Sequence, residues 1–216
     1  MRGIYAVSSV GLFYLALTDI PLADATALIF ITPIIVTILS PFILKERVGL
    51  RRWIAVLVGF FGVLLIIQPG FQDIRMGTLA ALAAGFGFAI FSISSRTLAQ
   101  QDEPLLTVVY TSLVGSVGLS AVAPFVFVMP EVSDIWLFLG MVGFAGLGQV
   151  MFMYAFAAAP AVVVSPFLYG TILAASVVGY FVFGDFPNTV SWAGISIVIA
   201  VGIYIAVRES RVKGAA

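Results

Sequence analysis

The chain has 216 residues, of which 62% are hydrophobic and 9% charged, and its ten basic and ten acidic residues leave no net charge. Its mean hydropathy is +1.19. A soluble domain cannot bury so much apolar surface, so the composition excludes a soluble globular protein and predicts a chain that lives in a lipid bilayer.

Long segments without charge follow one another along the chain. A helix that crosses the hydrocarbon core needs about 20 apolar residues, and eight segments are predicted to cross it: residues 3–17, 25–44, 53–67, 76–95, 104–128, 135–156, 161–183 and 190–207. A turn at 157–160 is predicted to divide the fifty uncharged residues between Asp134 and Asp185. A transmembrane barrel would show shorter, alternating segments. The predicted fold class is therefore all-α, a polytopic membrane helix bundle.

The basic residues of the loops orient this bundle. With the N-terminus in the cytoplasm, nine of the ten basic residues lie inside and only Arg75 lies outside. Positively charged loops are retained on the cytoplasmic side. We therefore expect a multi-pass protein of the cell membrane, in a bacterium the inner membrane, with both termini in the cytoplasm.

The chain also repeats itself weakly. Four positions recur 139 residues later, namely Pro21 as Pro160, Thr26 as Ser165, Glu46 as Asp185 and Trp53 as Trp192. At about 28 residues per span and loop this interval is five helices, and an odd number predicts two copies that face opposite ways. We predict a first repeat at residues 1–72 with three helices and a second at 73–216 with five. The first copy would then lack roughly two helices, on the order of 60 residues, before Met1.

Several of these residues carry a resemblance to a known family. The first half is similar to the third to fifth helices of EamA-type transporters of the drug/metabolite transporter superfamily, through Tyr14, Ala16, the run Pro21 to Thr26, Pro33, Glu46, Trp53, Gly59, Gly62, Gln68, Pro69 and Gly70. The second half resembles the family through Tyr154, Ala155, Pro160, Pro166, Asp185, Trp192 and Gly194. The resemblance implies ten helices in two inverted halves around a central cavity, and transport of metabolites, amino acids, nucleotides, vitamins or drugs. This chain departs from the pattern in lacking the first two helices.

Polar and aromatic residues within the spans are the candidates for a substrate-binding lining, because they occupy spans that resemble the pathway-lining helices of the family. They are Tyr14, Thr32, Phe91, Ser92, Tyr110, Gln149, Tyr154, Ser165 and Tyr169. Their hydroxyls, amide and rings would suit a ligand of mixed polarity. The alternative is that the serine and threonine hydroxyls bond their own helix backbone and that the tyrosines belong to an interfacial belt. Gln149 and Tyr169 are favoured, since a buried amide needs a partner.

Pro33 and Pro166 are candidate hinges, because proline removes a backbone hydrogen bond and bends a helix. Kinks that serve packing alone are an equal alternative. The glycines of the sixth and fifth predicted spans are expected at close helix contacts; they are Gly140, Gly143, Gly146 and Gly148, with Gly115 and Gly118.

Glu46 and Asp185 lie at equivalent turns of the two predicted repeats. One interpretation is a gate, or an ion pair of Glu46 with Arg51 or Arg52. The favoured alternative is that each acid caps the next helix, where the helix dipole attracts it.

The chain has no histidine and no cysteine, which removes haem and thiolate sites and the commonest catalytic side chains. We expect no catalytic residue, no metal, no cofactor and no nucleic-acid partner. The acids lie in loops or at span ends, so we favour facilitated or exchange transport of a neutral, zwitterionic or amphipathic metabolite without proton coupling. The alternatives are an accessory or truncated membrane subunit without transport of its own, and a membrane enzyme, for which no polar catalytic cluster is found. A homodimer is a further possibility.

Overall fold

A computed structural model describes residues 2–46, 48–70, 75–126, 134–178, 181 and 188–213. Its elements, in chain order, are α1 Arg2–Leu17, α2 Leu22–Ile29, α3 Thr32–Ile43, α4 Leu50–Ile67, α5 Met76–Ala99, α6 Pro104–Val126, α7 Ile135–Ala158, α8 Ala161–Val164, the 3-10 helix Ser165–Tyr169, α9 Gly170–Val178 and α10 Thr189–Lys213. No strand occurs in the ranges just given. The prediction of an all-α membrane helix bundle is confirmed.

The helices follow the predicted spans closely. Four segments are long and apolar enough to cross a membrane by length and composition: Asp24–Ile43, Leu50–Ile67, Met76–Ala99 and Ile135–Ala158. The other four predicted spans coincide with shorter apolar helices: Arg2–Leu17, Pro104–Ser120, Ala161–Ala174 and Thr189–Ile205. Residues 127–128 and 182–183, at the ends of two predicted spans, lie outside the described residues, as does the predicted repeat boundary at 72–73.

The turn predicted at 157–160 is present. α7 ends at Ala158 and α8 begins at Ala161. Ala159 between them is extended, with φ −147° and ψ 156°, because the ring of the following Pro160 disfavours helical geometry at the preceding residue. Proline therefore separates two apolar segments that hydropathy alone would join.

Both candidate hinge prolines lie at helix starts. The predicted span 25–44 is interrupted at Phe30 and Ile31, and Pro33 lies in the first turn of α3. Pro166 likewise lies in the first turn of the 3-10 helix. Proline is well tolerated there, since the first backbone N–H groups of a helix have no intrahelical partner. At Pro33 the span is interrupted just before the proline, whereas at Pro166 α8 passes directly into the 3-10 helix; the role of the two prolines as hinges stays a prediction.

Helix α5 lies at the centre of the bundle and packs against α1, α2, α3, α6 and α7. Glycine permits its close approach to α2, because a Cβ atom on Gly85 would lie 3.2 Å from the carbonyl oxygen of Leu28. Helices α4 and α10 form a second tight pair. A Cβ on Gly194 would lie only 2.5 Å from the carbonyl oxygen of Gly62, so these two backbones touch.

The expectation of close contacts at the other glycines is wrong. A Cβ atom on Gly140, Gly143, Gly146, Gly148 or Gly118 would meet nothing within 4 Å among the described residues, and one on Gly115 would meet only a methyl group of Val7 at 3.7 Å. These glycines lack close contacts because α6 and α7 leave much of their surface exposed. Trp136 and Phe144 on α7, for example, are 80% and 79% accessible.

Candidate functional site

Glu46 and Arg96 form an ion pair where the ends of four helices meet. Arg96 Nε lies 3.3 Å from Glu46 Oε1, and both side chains are largely buried, with 13% and 11% of their surfaces accessible. Arg96 Nη1 also donates to the carbonyl oxygens of Phe156 at 2.7 Å and Ala157 at 3.2 Å, at the end of α7. The arginine thereby satisfies carbonyls that have no partner at a helix C-terminus.

The carboxylate of Glu46 has a second set of partners at the start of α8. Its Oε1 accepts from the backbone N–H of Ala161 at 3.1 Å, and its Oε2 accepts from that of Val162 at 3.3 Å. We call Glu46, Arg96 and these backbone groups the Glu46–Arg96 clamp. It ties the segment after α3 to the end of α5, the end of α7 and the start of α8.

Glu46 therefore acts as a helix cap, but not at the helix expected. Its partner helix begins 115 residues later in the chain, and its cation is Arg96 rather than Arg51 or Arg52. A left-handed residue, Lys45 with φ 56°, precedes Glu46 at the end of α3. Asp185, the equivalent acid of the predicted second repeat, lies outside the described residues.

The residues predicted to bind substrate fall into two groups. Thr32, Phe91, Ser92, Ser165 and Tyr169 are buried, whereas Tyr14, Tyr110 and Tyr154 are exposed and Gln149 is intermediate. The nine thus differ in exposure, and their sharing of one substrate-binding lining stays a prediction. Tyr14 packs edge-on against its neighbour Phe13, with ring centroids 6.2 Å apart.

The buried hydroxyls mostly bond backbone carbonyls. Ser92 donates to the carbonyl of Phe88 in its own helix at 2.8 Å. The Thr32 hydroxyl lies 2.8 Å from the carbonyl of Ile29 and 2.9 Å from that of Gly85, so it fastens the start of α3 to α5. The Ser165 hydroxyl, in contrast, is buried and has no hydrogen-bond partner in the part of the chain that the structure describes.

Tyr169 is the largest fully buried side chain among the described residues. Its hydroxyl donates to the backbone carbonyl of Val56 at 3.4 Å, and its ring lies 5.9 Å from that of Phe30. A Cβ atom on Gly59 would lie 2.8 Å from the tyrosine ring, so Gly59 makes the space that Tyr169 occupies. In this conformation Tyr169 joins α4 to the 3-10 helix.

An aromatic cluster joins α5 and α7, and of its four rings only Phe91 was among the predicted binding residues. The Phe91 ring stacks on Phe88 at 5.6 Å and on Phe152 at 5.7 Å, and Phe152 contacts Phe156 at 4.7 Å. Phe88 and Phe152 are only half-buried. The signal was present in the sequence, because Phe88 with Phe91 and Phe152 with Phe156 have the spacing that places side chains on one helix face.

An apolar cavity of about 360 Å³ lies between α4 and α10 and includes Arg51, Ile54, Val58 and Tyr204 in its lining. None of the nine predicted binding residues lines it. A smaller and more polar cavity of about 260 Å³ lies between α1 and α6, and Tyr110 is in its lining.

Comparisons with known proteins give a family model, relatives named as transporters and a solved structure of similar fold. The EamA-like transporter family model matches residues 2–68 and 75–208. A riboflavin transporter of Vibrio cholerae is 30% identical over 213 residues, which cover 98% of this chain and 72% of that protein. An S-adenosylmethionine uptake transporter of Rickettsia prowazekii is 26% identical, with the same shares covered. One solved crystal structure superposes with a TM-score of 0.79 over 93% of this chain and 74% of the other, at 17% sequence identity.

Proposed function

The chain belongs to the EamA-like transporter family and is a multi-pass membrane protein that transports small molecules, and from this premise we propose that it moves one small metabolite across the cell membrane by alternating access. The substrate is neutral, zwitterionic or amphipathic, and both termini lie in the cytoplasm. A relative named as a riboflavin transporter supports this substrate class, because riboflavin is a neutral molecule. The half-buried rings of Phe88 and Phe152 support it too, since the accessible part of each ring offers a stacking surface for a planar ligand.

The observation that carries the mechanism is the Glu46–Arg96 clamp. It links Glu46, in the predicted first repeat, to α5, α7 and α8 of the predicted second repeat. Alternating access requires contacts between two halves that close one side of the membrane and open again. The segments that meet at the clamp, around 46, 96 and 157–161, are those that the loop charges predict to be cytoplasmic. The clamp closes the cytoplasmic side in this proposal.

Transport can be tested with the purified chain in liposomes. Uptake of radiolabelled riboflavin and S-adenosylmethionine is measured first, followed by a panel of neutral, zwitterionic and amphipathic metabolites. A carrier shows saturable uptake that the same unlabelled solute inside the liposome accelerates. A pH gradient is expected to leave the rate unchanged. Protein-free liposomes are the control, and absence of saturable uptake across the whole panel would favour the accessory subunit instead.

A further inference from the structure

A groove separates α4 from α10 on one side of their contact. The two helices touch where a Cβ atom on Gly194 would lie 2.5 Å from the carbonyl oxygen of Gly62. They run in opposite directions, because Arg51 at the start of α4 lines the same cavity as Tyr204 near the end of α10. Between the glycine contact and Arg51 they leave an apolar cavity of about 360 Å³. We call this cavity the α4–α10 groove.

The groove extends over the depth of one membrane leaflet. Arg51 and Gly62 are eleven residues apart in α4, which at about 1.5 Å per residue is about 16 Å along the helix. The hydrocarbon core of a bilayer is about 30 Å thick, so one leaflet contributes about 15 Å of it. With Arg51 at the membrane surface, the glycine contact lies near the middle of the bilayer. One acyl chain of a lipid covers the same distance.

The walls of the groove suit an alkyl chain. Ile54 and Val58 on α4 are 52% and 43% accessible, whereas Ala55 and Val201 are buried, with 5% and 8% of their surfaces accessible. Exposed apolar side chains therefore border a depression that is lined by smaller buried ones. In a bilayer such a surface contacts hydrocarbon, and a flexible chain that fills the depression gains the dispersion contacts that an empty space forfeits.

The end of the groove at the membrane surface is cationic. Arg51 is exposed there, and so is Tyr204 on the opposite helix. A basic residue at a membrane surface attracts anionic lipids, and a guanidinium matches the geometry of a phosphate group. Tyrosine is amphipathic and is typical of the head-group level. The groove thus combines an apolar length for an acyl chain with a charge that is complementary to an acidic head group.

We propose that the α4–α10 groove binds one acidic phospholipid, with an acyl chain along Ile54, Val58 and Ile197 and the phosphate at Arg51. The lipid covers apolar surface of one helix from each predicted repeat, so it stabilises their pairing. None of the residues of the Glu46–Arg96 clamp is in the lining of the groove. The lipid site therefore does not depend on the proposed role of the clamp or on which solute is transported.

Native mass spectrometry of the full chain in detergent tests the site, with phosphatidylglycerol and phosphatidylcholine of identical acyl chains as the probes. The wild type should bind a first phosphatidylglycerol about fivefold more tightly than phosphatidylcholine, which is the effect of one basic residue at a membrane surface. Arg51→Gln should remove this preference. Lys45→Gln removes the same charge from the same predicted surface but lies outside the groove, and Lys45 is exposed, so this variant should retain the preference.

A second pair of variants tests the position of the acyl chain. Ala200 is exposed and lines the groove, so the ring of Ala200→Phe should occupy the groove and abolish the tighter binding of phosphatidylglycerol. Ile199→Phe adds a ring at the neighbouring position, which is exposed but outside the lining, and should bind as the wild type does.

Three results would overturn the proposal. The first is equal affinity of the wild type for the two lipids. The second is an equal loss of preference within either matched pair of variants, which would show that general surface charge or general disturbance of α10 is responsible. The third is a dimer of the wild type that Ala200→Phe dissociates, because a second copy of the chain would then occupy the groove.

Discussion

Replacing Glu46 with glutamine should open the cytoplasmic end of the bundle. The glutamine retains one acceptor oxygen for the start of α8 but loses the charge that attracts Arg96. Glu46 accepts three hydrogen bonds, from Arg96 Nε and from the N–H groups of Ala161 and Val162, at 3.1 to 3.3 Å. A hydrogen bond to a charged group contributes about 1.5–3 kcal/mol. These distances exceed the 2.7–2.9 Å of the strongest such bonds, so we expect a loss of about 2 kcal/mol.

If the clamp holds the protein closed toward the cytoplasm, that loss changes the ratio of open to closed molecules. A difference of about 2 kcal/mol is about thirtyfold in an equilibrium constant. The whole shift appears only if the open state makes none of the clamp contacts, so about thirtyfold is the upper limit. A change of about tenfold would already correspond to about 1.4 kcal/mol.

Cysteine labelling can measure this change, because the natural chain contains no cysteine. Ser40 is fully buried on α3, six residues before Glu46, and Ser40→Cys provides a single thiol behind the clamp. The rate of labelling by a membrane-impermeant maleimide applied from the cytoplasmic side should rise about tenfold or more when Glu46→Gln is added. Glu103→Gln is the matched control, since Glu103 is exposed and outside the clamp.

A double-mutant cycle with Arg96→Gln separates the ion pair from other effects of the substitutions. Arg96→Gln should lower the free energy of unfolding by less in the Glu46→Gln background than in the wild type. The expected coupling free energy, measured by thermal unfolding, is about 1–2 kcal/mol. Equal labelling rates in Glu46→Gln and in the background, together with a coupling free energy near zero, would refute the reasoning.

Three further predictions concern packing and topology. Gly194→Ala should destabilise the protein by about 1–3 kcal/mol in thermal unfolding, because its methyl group would meet the backbone of α4. Gly202→Ala is the control and should leave the stability unchanged, since its Cβ would meet nothing within 4 Å among the described residues. Equal losses of stability in the two variants would contradict the packing account. Tyr169→Phe should cost about 0.5–1.5 kcal/mol, since a buried carbonyl of α4 loses its donor, and an unchanged melting temperature would show that this bond is unimportant. A protease-sensitive tag after Ala216 should be cleaved only from the cytoplasmic side, and cleavage from outside would contradict the predicted orientation.

Hydropathy and proline placement were enough to predict most helix boundaries. Each apolar run must form its own backbone hydrogen bonds in lipid, so a run of the right length becomes a helix whatever its neighbours are. The turn before Ala161 was predictable for the same local reason, because Pro160 restricts the residue before it. The interruption at Phe30 and Ile31 was missed, since hydropathy does not distinguish one continuous helix from two short ones in the same apolar run.

The burial of the candidate binding residues was less predictable, because residue type alone does not say which way a side chain faces. Thr32 and Tyr169 were selected for their polar groups, and both are buried in helix contacts. Arg2 was used only as a topology signal, although its guanidinium is buried beside a cavity. A basic residue at the start of a span looks the same in sequence whether it faces water or the bundle.

By itself, the sequence determined the membrane environment, the helical class, most of the boundaries between spans and the family, because these depend on composition and on contacts between near neighbours in the chain. Only the tertiary structure decided that Glu46 pairs with Arg96 and caps α8, which begins 115 residues later, and which glycines lie at helix contacts. Such pairings depend on how helices distant in sequence are arranged. Many arrangements satisfy the same apolar pattern, because lipid contacts an apolar helix face as readily as another helix does.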